Sequence, residues 1–146
     1  MTKVTEIMTS DIYTLGPNET IYEAAVLMKD KDIGFIPVVD NGKLLGVCTD
    51  RDLVLRGYAG KHSGSTSITE VITRDVHTLS PDASVDDAAD IMAKHQIKRL
   101  PVLDNGNLVG IVALGDMAIH EIFMNEASDA LSEISEPEPS HTRMTH

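Results

Sequence analysis

The chain has 146 residues, a length at which one compact domain can bury enough apolar surface to fold without disulfide cross-links. Its 12 Lys and Arg against 23 Asp and Glu give a formal net charge of −11, which predicts that most of the surface repels nucleic acid. A single cysteine rules out an intramolecular disulfide, and the absence of a long apolar run predicts a cytoplasmic protein with no membrane partner.

The first predicted element is an amphipathic helix that begins after Thr20. The apolar residues of TIYEAAVLM recur at the i, i+3, i+4, i+7 spacing of a helix that packs one face on a core. Thr20 and Glu23 have the spacing of a capping box, in which each side chain satisfies a free N–H group of the first turn. SVDDAADIM repeats the pattern with Ser84 and Asp87, so a second helix of the same kind is predicted.

Each of these helices is followed by a predicted β-hairpin. IPVVDNGKLLGVC and LPVLDNGNLVGIV each join two β-rich runs through an Asn-Gly pair, which favours the positive φ angles of a tight turn. Pro37 and Pro101 are expected at the start of the first strand of each hairpin, where a missing N–H group is tolerated. Cys48 falls in the second strand and is predicted to be a small buried hydrophobe.

A further helix is predicted after each hairpin, from about Asp52 to Arg56 and from about Asp116 to Met124. The Gly- and Ser-rich stretch from Gly57 to Ser67 is typical of a connection between two units. The boundaries of the two repeats are therefore predicted at residues 1–66 and 67–125.

The last segment, residues 126–146, is an acidic tail that is expected to be partly disordered. Ala127 to Ile134 is predicted to add a helical turn, and the last ten or so residues are predicted to be disordered.

The two repeats are copies of one sequence pattern. An offset of 64 residues maps Pro37 onto Pro101 without a gap. The same offset relates three further pairs: Gly42 and Gly106, Gly46 and Gly110, and Asp52 and Asp116. Two copies of this length are too few for a solenoid, so the duplication predicts two similar units packed about a pseudo-twofold axis.

The end of the first hairpin carries a candidate binding motif. In GVCTDRD, Thr49 stands where a strand gives way to a helix, and Asp52 lies near the first helical turn. Free N–H groups and the positive dipole end favour a phosphate there. A Thr hydroxyl can donate to a phosphate oxygen, and an Asp carboxylate can accept from a ribose diol. Taken alone, the two residues fit a helix cap at least as well.

Together these motifs resemble the CBS-domain pair, a regulatory module named after cystathionine β-synthase. The resemblance covers roughly residues 4 to 124 and rests on MT-x-D, the first helix, PVVDNG, LLGV and T-x-x-D, with their second copies. It implies an α/β (α+β) fold of two tandem βαββα units about a pseudo-twofold axis, with the sheets packed together and the helices outside. It also implies two clefts that bind adenosine-containing ligands.

In such a module each cleft combines the motif of one copy with the strand start of the other. The residues expected in the first cleft are Thr49, Arg51, Asp52, Lys98, Arg99, Leu100 and Pro101. KRLPV looks like a basic stretch that contacts phosphates, although an exposed charged turn is the alternative for its two cations. The residues expected in the second cleft are Asp116, Gly34, Phe35, Ile36 and Pro37, with Ala113 in place of the hydroxyl and neither cation present.

The resemblance implies a stand-alone regulatory or sensor module. Its expected ligand is an adenine nucleotide (AMP, ADP, ATP or S-adenosylmethionine), and its expected response is a change of shape or assembly. A homodimer and a separate effector protein are the expected partners. The alternative function is a ligand-free dimerisation or interaction scaffold.

We predict that the protein is not an enzyme and that it uses no catalytic cofactor. The sequence contains no Gly-rich phosphate loop, no nucleophile elbow and no metal-ligand spacing. Four histidines are scattered and are predicted to have no partners: His62, His77, His95 and His120.

Overall fold

The computed structural model describes residues 2–135, which form four strands, four longer helices and two single-turn 3₁₀-helices, Val4–Glu6 and Ile68–Glu70. The strands are β1 (Phe35–Asp40), β2 (Lys43–Thr49), β3 (Arg99–Asp104) and β4 (Asn107–Ala113). The helices are α1 (Ile21–Lys31), α2 (Asp50–Asp52, continued by a π-helical stretch, Leu53–Tyr58), α3 (Val85–His95) and α4 (Leu114–Ser135). The antiparallel strands and the helices between them confirm the predicted α+β class.

Both predicted capping boxes are confirmed. At the start of α1 the Glu23 N–H group donates to the Thr20 hydroxyl at 3.2 Å, and the Glu23 carboxylate accepts from the Thr20 N–H group at 3.0 Å. Ser84 and Asp87 form the same pair of bonds at the start of α3, at 3.0 and 3.1 Å. The apolar faces of both helices are buried, as the periodicity predicts.

The two hairpins have the same turn and the same register. Asn41 and Gly42 have φ angles of 51° and 85°, and Asn105 and Gly106 have φ angles of 52° and 86°, as the Asn-Gly pairs predict. Residues of β1 and β2 pair with the same spacing as their counterparts 64 positions later in β3 and β4. Cys48 is fully buried in β2, which confirms its predicted place in the core.

The proline positions differ from the prediction. Pro37 is the third residue of β1 rather than its first, and Pro101 has the same place in β3. The nitrogen of Pro37 faces the same edge as that of Val39, whose N–H group donates to the Leu15 carbonyl at 2.9 Å. Since Leu15 makes only a single bridge with this edge, the missing N–H group of Pro37 does not interrupt a ladder.

The hairpins join edge to edge at their turns. Lys43 of β2 pairs with Asn107 of β4, which gives a four-stranded sheet of order β1-β2-β4-β3. Farther from the turns, each inner strand pairs instead with a short segment of the other repeat. Thr73 exchanges two backbone hydrogen bonds with Val47 at 2.8 and 2.9 Å, and Thr9 exchanges two with Ile111 at 2.9 Å.

The two repeats therefore exchange their first segments. Ile68 and Val71 belong to the second repeat but are fully buried in the hydrophobic core of the first, whereas Val4 is buried in the core of the second. Gly46 allows the close approach, because a Cβ atom there would lie 2.4 Å from the Thr73 carbonyl oxygen. The predicted boundaries separate the two copies of the sequence pattern, but each of the two hydrophobic cores contains residues from both copies.

The two helices that follow the hairpins are longer than predicted. α2 begins at Asp50, and its π-helical continuation ends at Tyr58, where a Gly-rich sequence follows. α4 runs from Leu114 to Ser135 and so includes the helical turn predicted at residues 127–134, because neither Gly nor Pro occurs in residues 116–135. The predicted disorder of the last ten or so residues lies outside the described residues. None of the described helices has the length and apolar character needed to cross a membrane.

Candidate functional site

Two cavities open where the inner strands diverge. The first cleft has a volume of about 560 Å³, which is within the usual range for small-molecule sites. It is bounded by the end of β2 and start of α2, by the exchanged segment at residues 73–77, and by the residues that lead into β3. Its lining residues are Gly34, Phe35, Val47, Thr49, Asp50, Arg51, Thr73, Asp75, Val76, His77, Gln96, Ile97, Lys98 and Arg99.

The second cleft has a volume of about 340 Å³ and is built from the equivalent parts of the fold. Its lining residues are Thr9, Asp11, Ile12, Tyr13, Asp32, Ile33, Gly34, Phe35, Arg99, Ile111, Ala113 and Asp116. Gly34, Phe35 and Arg99 line both cavities. Each of the other residues except Asp116 has its counterpart 64 positions away, earlier or later, in the first cleft.

The two clefts differ in charge. Three basic side chains line the first cleft (Arg51, Lys98, Arg99), together with Asp50 and Asp75. One basic side chain lines the second cleft (Arg99), together with three carboxylates (Asp11, Asp32, Asp116). The first cleft is therefore the better site for an anionic group, because the local charges outweigh the screened field of the acidic surface.

Thr49 and Asp52 form a capping box at the start of α2. The Asp52 N–H group donates to the Thr49 hydroxyl at 3.1 Å, and the Thr49 N–H group donates to the Asp52 carboxylate at 3.0 Å. Asp52 also accepts a hydrogen bond from the Thr73 hydroxyl and is only 8% exposed. The helix-cap interpretation is therefore confirmed, and Thr49 and Thr73 also line the first cleft, with Asp52 behind them.

Four of the residues predicted for the first cleft line one cavity: Thr49, Arg51, Lys98 and Arg99. The predicted contacts of Leu100 and Pro101 differ, because both side chains are fully buried in the core at β3. Pro37, predicted for the second cleft, is fully buried in the same way at β1. In each strand start, only the residues before the buried Ile-Pro or Leu-Pro pair reach a cavity.

The expectation that the second cleft lacks both cations is wrong, because Arg99 lines it as well. The guanidinium carbon of Arg99 lies 5.8 Å from the ring centroid of Phe35, within the range of a cation–π contact. The 64-residue offset makes Phe35 and Arg99 equivalent positions, so the two meet at the pseudo-twofold axis. Residues at this axis face both clefts, whereas the sequence interpretation assigned each strand start to one.

The prediction that the histidines have no partners is wrong for His77 and His95. Their rings stack with centroids 3.8 Å apart and planes inclined by 20°. Loss of solvent lowers the pKa of His95, and the nearby His77 and Lys94 lower it further. In the second cleft the equivalent contact places the Lys31 ammonium 5.2 Å from the Tyr13 ring centroid.

One member of the stacked pair, His77, lines the first cleft, and it is not among the residues predicted for that cleft. Its counterpart Tyr13 lines the second cleft. The repeat contains a sequence signal for this pair. The offset that relates Pro37 to Pro101 also relates Tyr13 to His77 and Lys31 to His95, so an aromatic side chain and a basic one occur at the same two positions in both repeats.

Cys48 is close to the site but is not available for chemistry. Burial raises the pKa of its thiol to about 12, and the negative charge of Asp52 adds to the effect. The thiolate required for nucleophilic attack or metal binding is therefore negligible at neutral pH. Within residues 2–135, no group of three or more His, Cys, Asp or Glu side chains is placed to hold a metal ion.

Comparison with known proteins gives a consistent result. The family model of the CBS domain matches residues 4–57 and again residues 68–120. The CBS domain-containing protein YhcV of Bacillus subtilis (strain 168) is 47% identical over 135 residues, which are 92% of this chain and 96% of that protein.

Two solved structures have a similar fold. Hypoxic Response Protein I, solved with two coordinated zinc ions, is 34% identical with a TM-score of 0.75, over 82% of this chain and 99% of that one. The CBS domain pair of protein MJ0100, solved with 5′-methylthioadenosine and S-adenosyl-L-methionine, is 33% identical with a TM-score of 0.72, over 86% of this chain and 98% of that one.

Proposed function

The chain belongs to the CBS-domain family, with two repeats, and from this premise we propose that it is a regulatory module whose first cleft binds an adenine nucleotide. The observation that carries the proposal is the convergence of Arg51, Lys98 and Arg99 with the Thr49 hydroxyl around one cavity of about 560 Å³. The ligands of the MJ0100 domain pair support the adenosine part of the proposal.

The lining residues divide into groups that suit the parts of a nucleotide. The three cations and the Thr49 hydroxyl would bind phosphates, since charge-assisted hydrogen bonds to phosphate are about twice as strong as neutral ones. Val47, Val76 and Ile97 would provide an apolar surface for the base. Asp52, which lies behind the lining residues, would accept from the ribose with the acceptor capacity that its present bonds leave free.

The second cleft would accept a less charged ligand. It keeps a carboxylate at Asp116, but Ala113 replaces the Thr hydroxyl and three carboxylates outnumber its one cation. A nucleoside or a nucleotide with few phosphates suits this composition better than a polyphosphate, because like charges within a partly desolvated cavity repel strongly.

A homodimer and a separate effector are the proposed partners. Apolar side chains that follow the two hairpins lie open to solvent, with Val54, Leu55 and Ile119 exposed by 58%, 50% and 68%. Leu55 and Ile119 are equivalent positions of the two repeats, so both copies present an apolar helical surface. The same surfaces favour the alternative function, a scaffold that dimerises without a ligand.

Thermal shift with a ligand panel tests the proposal, because preferential binding to the folded state must raise its stability. AMP, ADP, ATP, adenosine and S-adenosylmethionine would be compared with GTP, which has the same phosphates as ATP and a different base. We expect adenine nucleotides to raise the Tm more than GTP does. If none of the adenine compounds raises it at millimolar concentration, the scaffold function is favoured instead.

A further inference from the structure

The module has one cation at its axis for two clefts. Arg99 lines both cavities, and the equivalent position of the first repeat holds Phe35, which has no charge. A module with two identical repeats would place one guanidinium at each of these positions. In this chain the single guanidinium of Arg99 lies between two clefts, each of which would need it to bind a phosphate.

We propose that Arg99 makes the two clefts compete for anionic ligands, so that a phosphate bound in one cleft weakens phosphate binding in the other. This inference rests on the proposed function, since it requires that the clefts bind nucleotides. The guanidinium presents its donors in one rigid plane, and a bidentate bond to a phosphate fixes the orientation of that plane. A second phosphate on the opposite side then finds no free pair of donors.

The first cleft should win this competition. It holds two further cations, Arg51 and Lys98, whereas Arg99 is the only basic side chain among the lining residues described for the second cleft. When a polyphosphate draws Arg99 into the first cleft, the second is left with Asp11, Asp32 and Asp116. An anionic ligand is then repelled from the second cleft, but uncharged adenosine is not.

The coupling is therefore specific for charge. Simple blockage of one cleft by a ligand in the other would weaken adenosine and nucleotides alike. Competition for Arg99 would weaken the binding only of ligands that carry phosphate. This effect would disappear if each cleft had its own cation at the axis.

Isothermal titration calorimetry of the full chain with ATP tests the proposal through stoichiometry. We expect one ATP per chain for the wild type, with any second site weaker by at least about tenfold. Phe35→Arg supplies the missing guanidinium and should raise the stoichiometry to two. Ser63→Arg adds the same charge at an exposed position outside both clefts and should leave it at one. With ATP saturating the first cleft, adenosine should still bind the second cleft of the wild-type protein.

Two ATP molecules bound to the wild type with similar affinities would overturn the proposal, as would a Phe35→Arg variant that still binds one. If Phe35→Arg fails to fold, the wild type saturated with ATP still tests the proposal, because its second cleft should bind AMP at least about tenfold more weakly than adenosine; equal binding of the two would overturn the proposal. Failure of the proposed function gives a different result, in which neither ATP nor adenosine binds to the wild-type chain at millimolar concentration.

Discussion

The hydroxyl of Thr73 donates to both carboxylate oxygens of Asp52, at 3.1 and 3.2 Å. Thr73 lies in the second repeat and Asp52 in the first, so the carboxylate of the motif is oriented by the exchanged segment of the other copy. In the part of the chain that the structure describes, no equivalent bond joins Thr9 to Asp116. The first cleft thus has a more rigidly held acceptor than the second.

Asp52→Ala should remove most of the affinity of the first cleft for an adenine nucleotide. The lost acceptor leaves the ribose hydroxyls without a partner, at a cost of roughly 1–3 kcal/mol. The substitution also removes the half of the capping box that accepts from the Thr49 N–H group, together with the bond from Thr73, which should lower the free energy of unfolding by about 1 kcal/mol. Calorimetry measures the first effect and thermal unfolding the second.

The matched control for this variant is Asp116→Ala, at the equivalent position of the second repeat. It should weaken the tight site less than Asp52→Ala does, because Asp116 lines the other cleft. A larger loss in Asp116→Ala would reverse the ranking of the clefts. Wild-type affinity in Asp52→Ala would remove Asp52 from the site.

Local features of the fold could be predicted from the sequence, but the exchange of segments could not. The capping box of Thr20 and the turn at Asn41 depend on residues a few positions apart, so short patterns determine them. The segment at Thr73 has the same sequence pattern whether it pairs with its own repeat or with the other. Its partner is decided by packing between residues far apart in sequence, such as Gly46 and Thr73.

Those parts of the site that depend on short sequence patterns could also be predicted, and those that depend on packing between distant residues could not. The motif at Thr49 and the basic pair at Lys98 are short patterns, and both lie at the first cleft. Arg99 lines both clefts because it lies at the pseudo-twofold axis, and no short sequence pattern predicts that position. The stack of His77 on His95 joins an exchanged segment to the end of α3, so it also required the three-dimensional arrangement.

The stacked histidines predict a loss of stability in mild acid. The folded state lowers the pKa of His95 below its ordinary value of 6.5, so folding favours the neutral ring. This contribution is complete above the unfolded pKa and is lost as the pH falls through the lower folded pKa. The Tm should therefore fall between about pH 7 and pH 5, where the His95 ring becomes protonated next to His77 and Lys94.

A double variant that copies the first repeat is the control for this effect. His77→Tyr with His95→Lys replaces the stacked pair with the ring and ammonium found at Tyr13 and Lys31. Its Tm should fall less than that of the wild type over the same pH range. An NMR titration of His95 with a midpoint at or above 6.5 would contradict the prediction.

Cys48 should resist thiol reagents while the protein is folded. Because burial raises the pKa of its thiol to about 12, the fraction of thiolate at pH 8 is on the order of one in ten thousand. A chromogenic disulfide reagent should react with one thiol per chain in denaturant and far more slowly in native buffer. Equal rates in the two conditions would show that β2 opens readily.

A dimer formed by the exposed helical surfaces should dissociate when charge is placed on them. Light scattering of the wild type should give twice the 15.8 kDa mass of one chain at micromolar concentration. Leu55→Glu with Ile119→Glu should reduce the mass to that of one chain, because buried unpaired carboxylates are costly. Ser63→Glu adds a charge in the connection and should leave the mass unchanged. A wild-type mass of one chain would rule out the dimer.

The basic pair before β3 should determine the preference of the module for phosphorylated ligands. Lys98→Gly with Arg99→Phe installs the residues found at Gly34 and Phe35 and leaves the Thr49 motif untouched. The affinity for ATP should fall by about tenfold or more and the affinity for adenosine should change little, since only phosphates form charge-assisted hydrogen bonds with the pair. The dependence of ATP affinity on salt should also become flatter.

The control for this variant removes the same amount of charge from outside both clefts. Lys29→Ala with Lys61→Gly changes two exposed lysines, and Lys61 already has a positive φ of 61° that glycine adopts readily. If overall charge governs ATP binding, the two variants will weaken it equally. If the pair contacts phosphate, only Lys98→Gly with Arg99→Phe will lower the affinity for ATP more than the affinity for adenosine. An equal loss of both ligands, or of neither, would mean that Lys98 and Arg99 are surface charges.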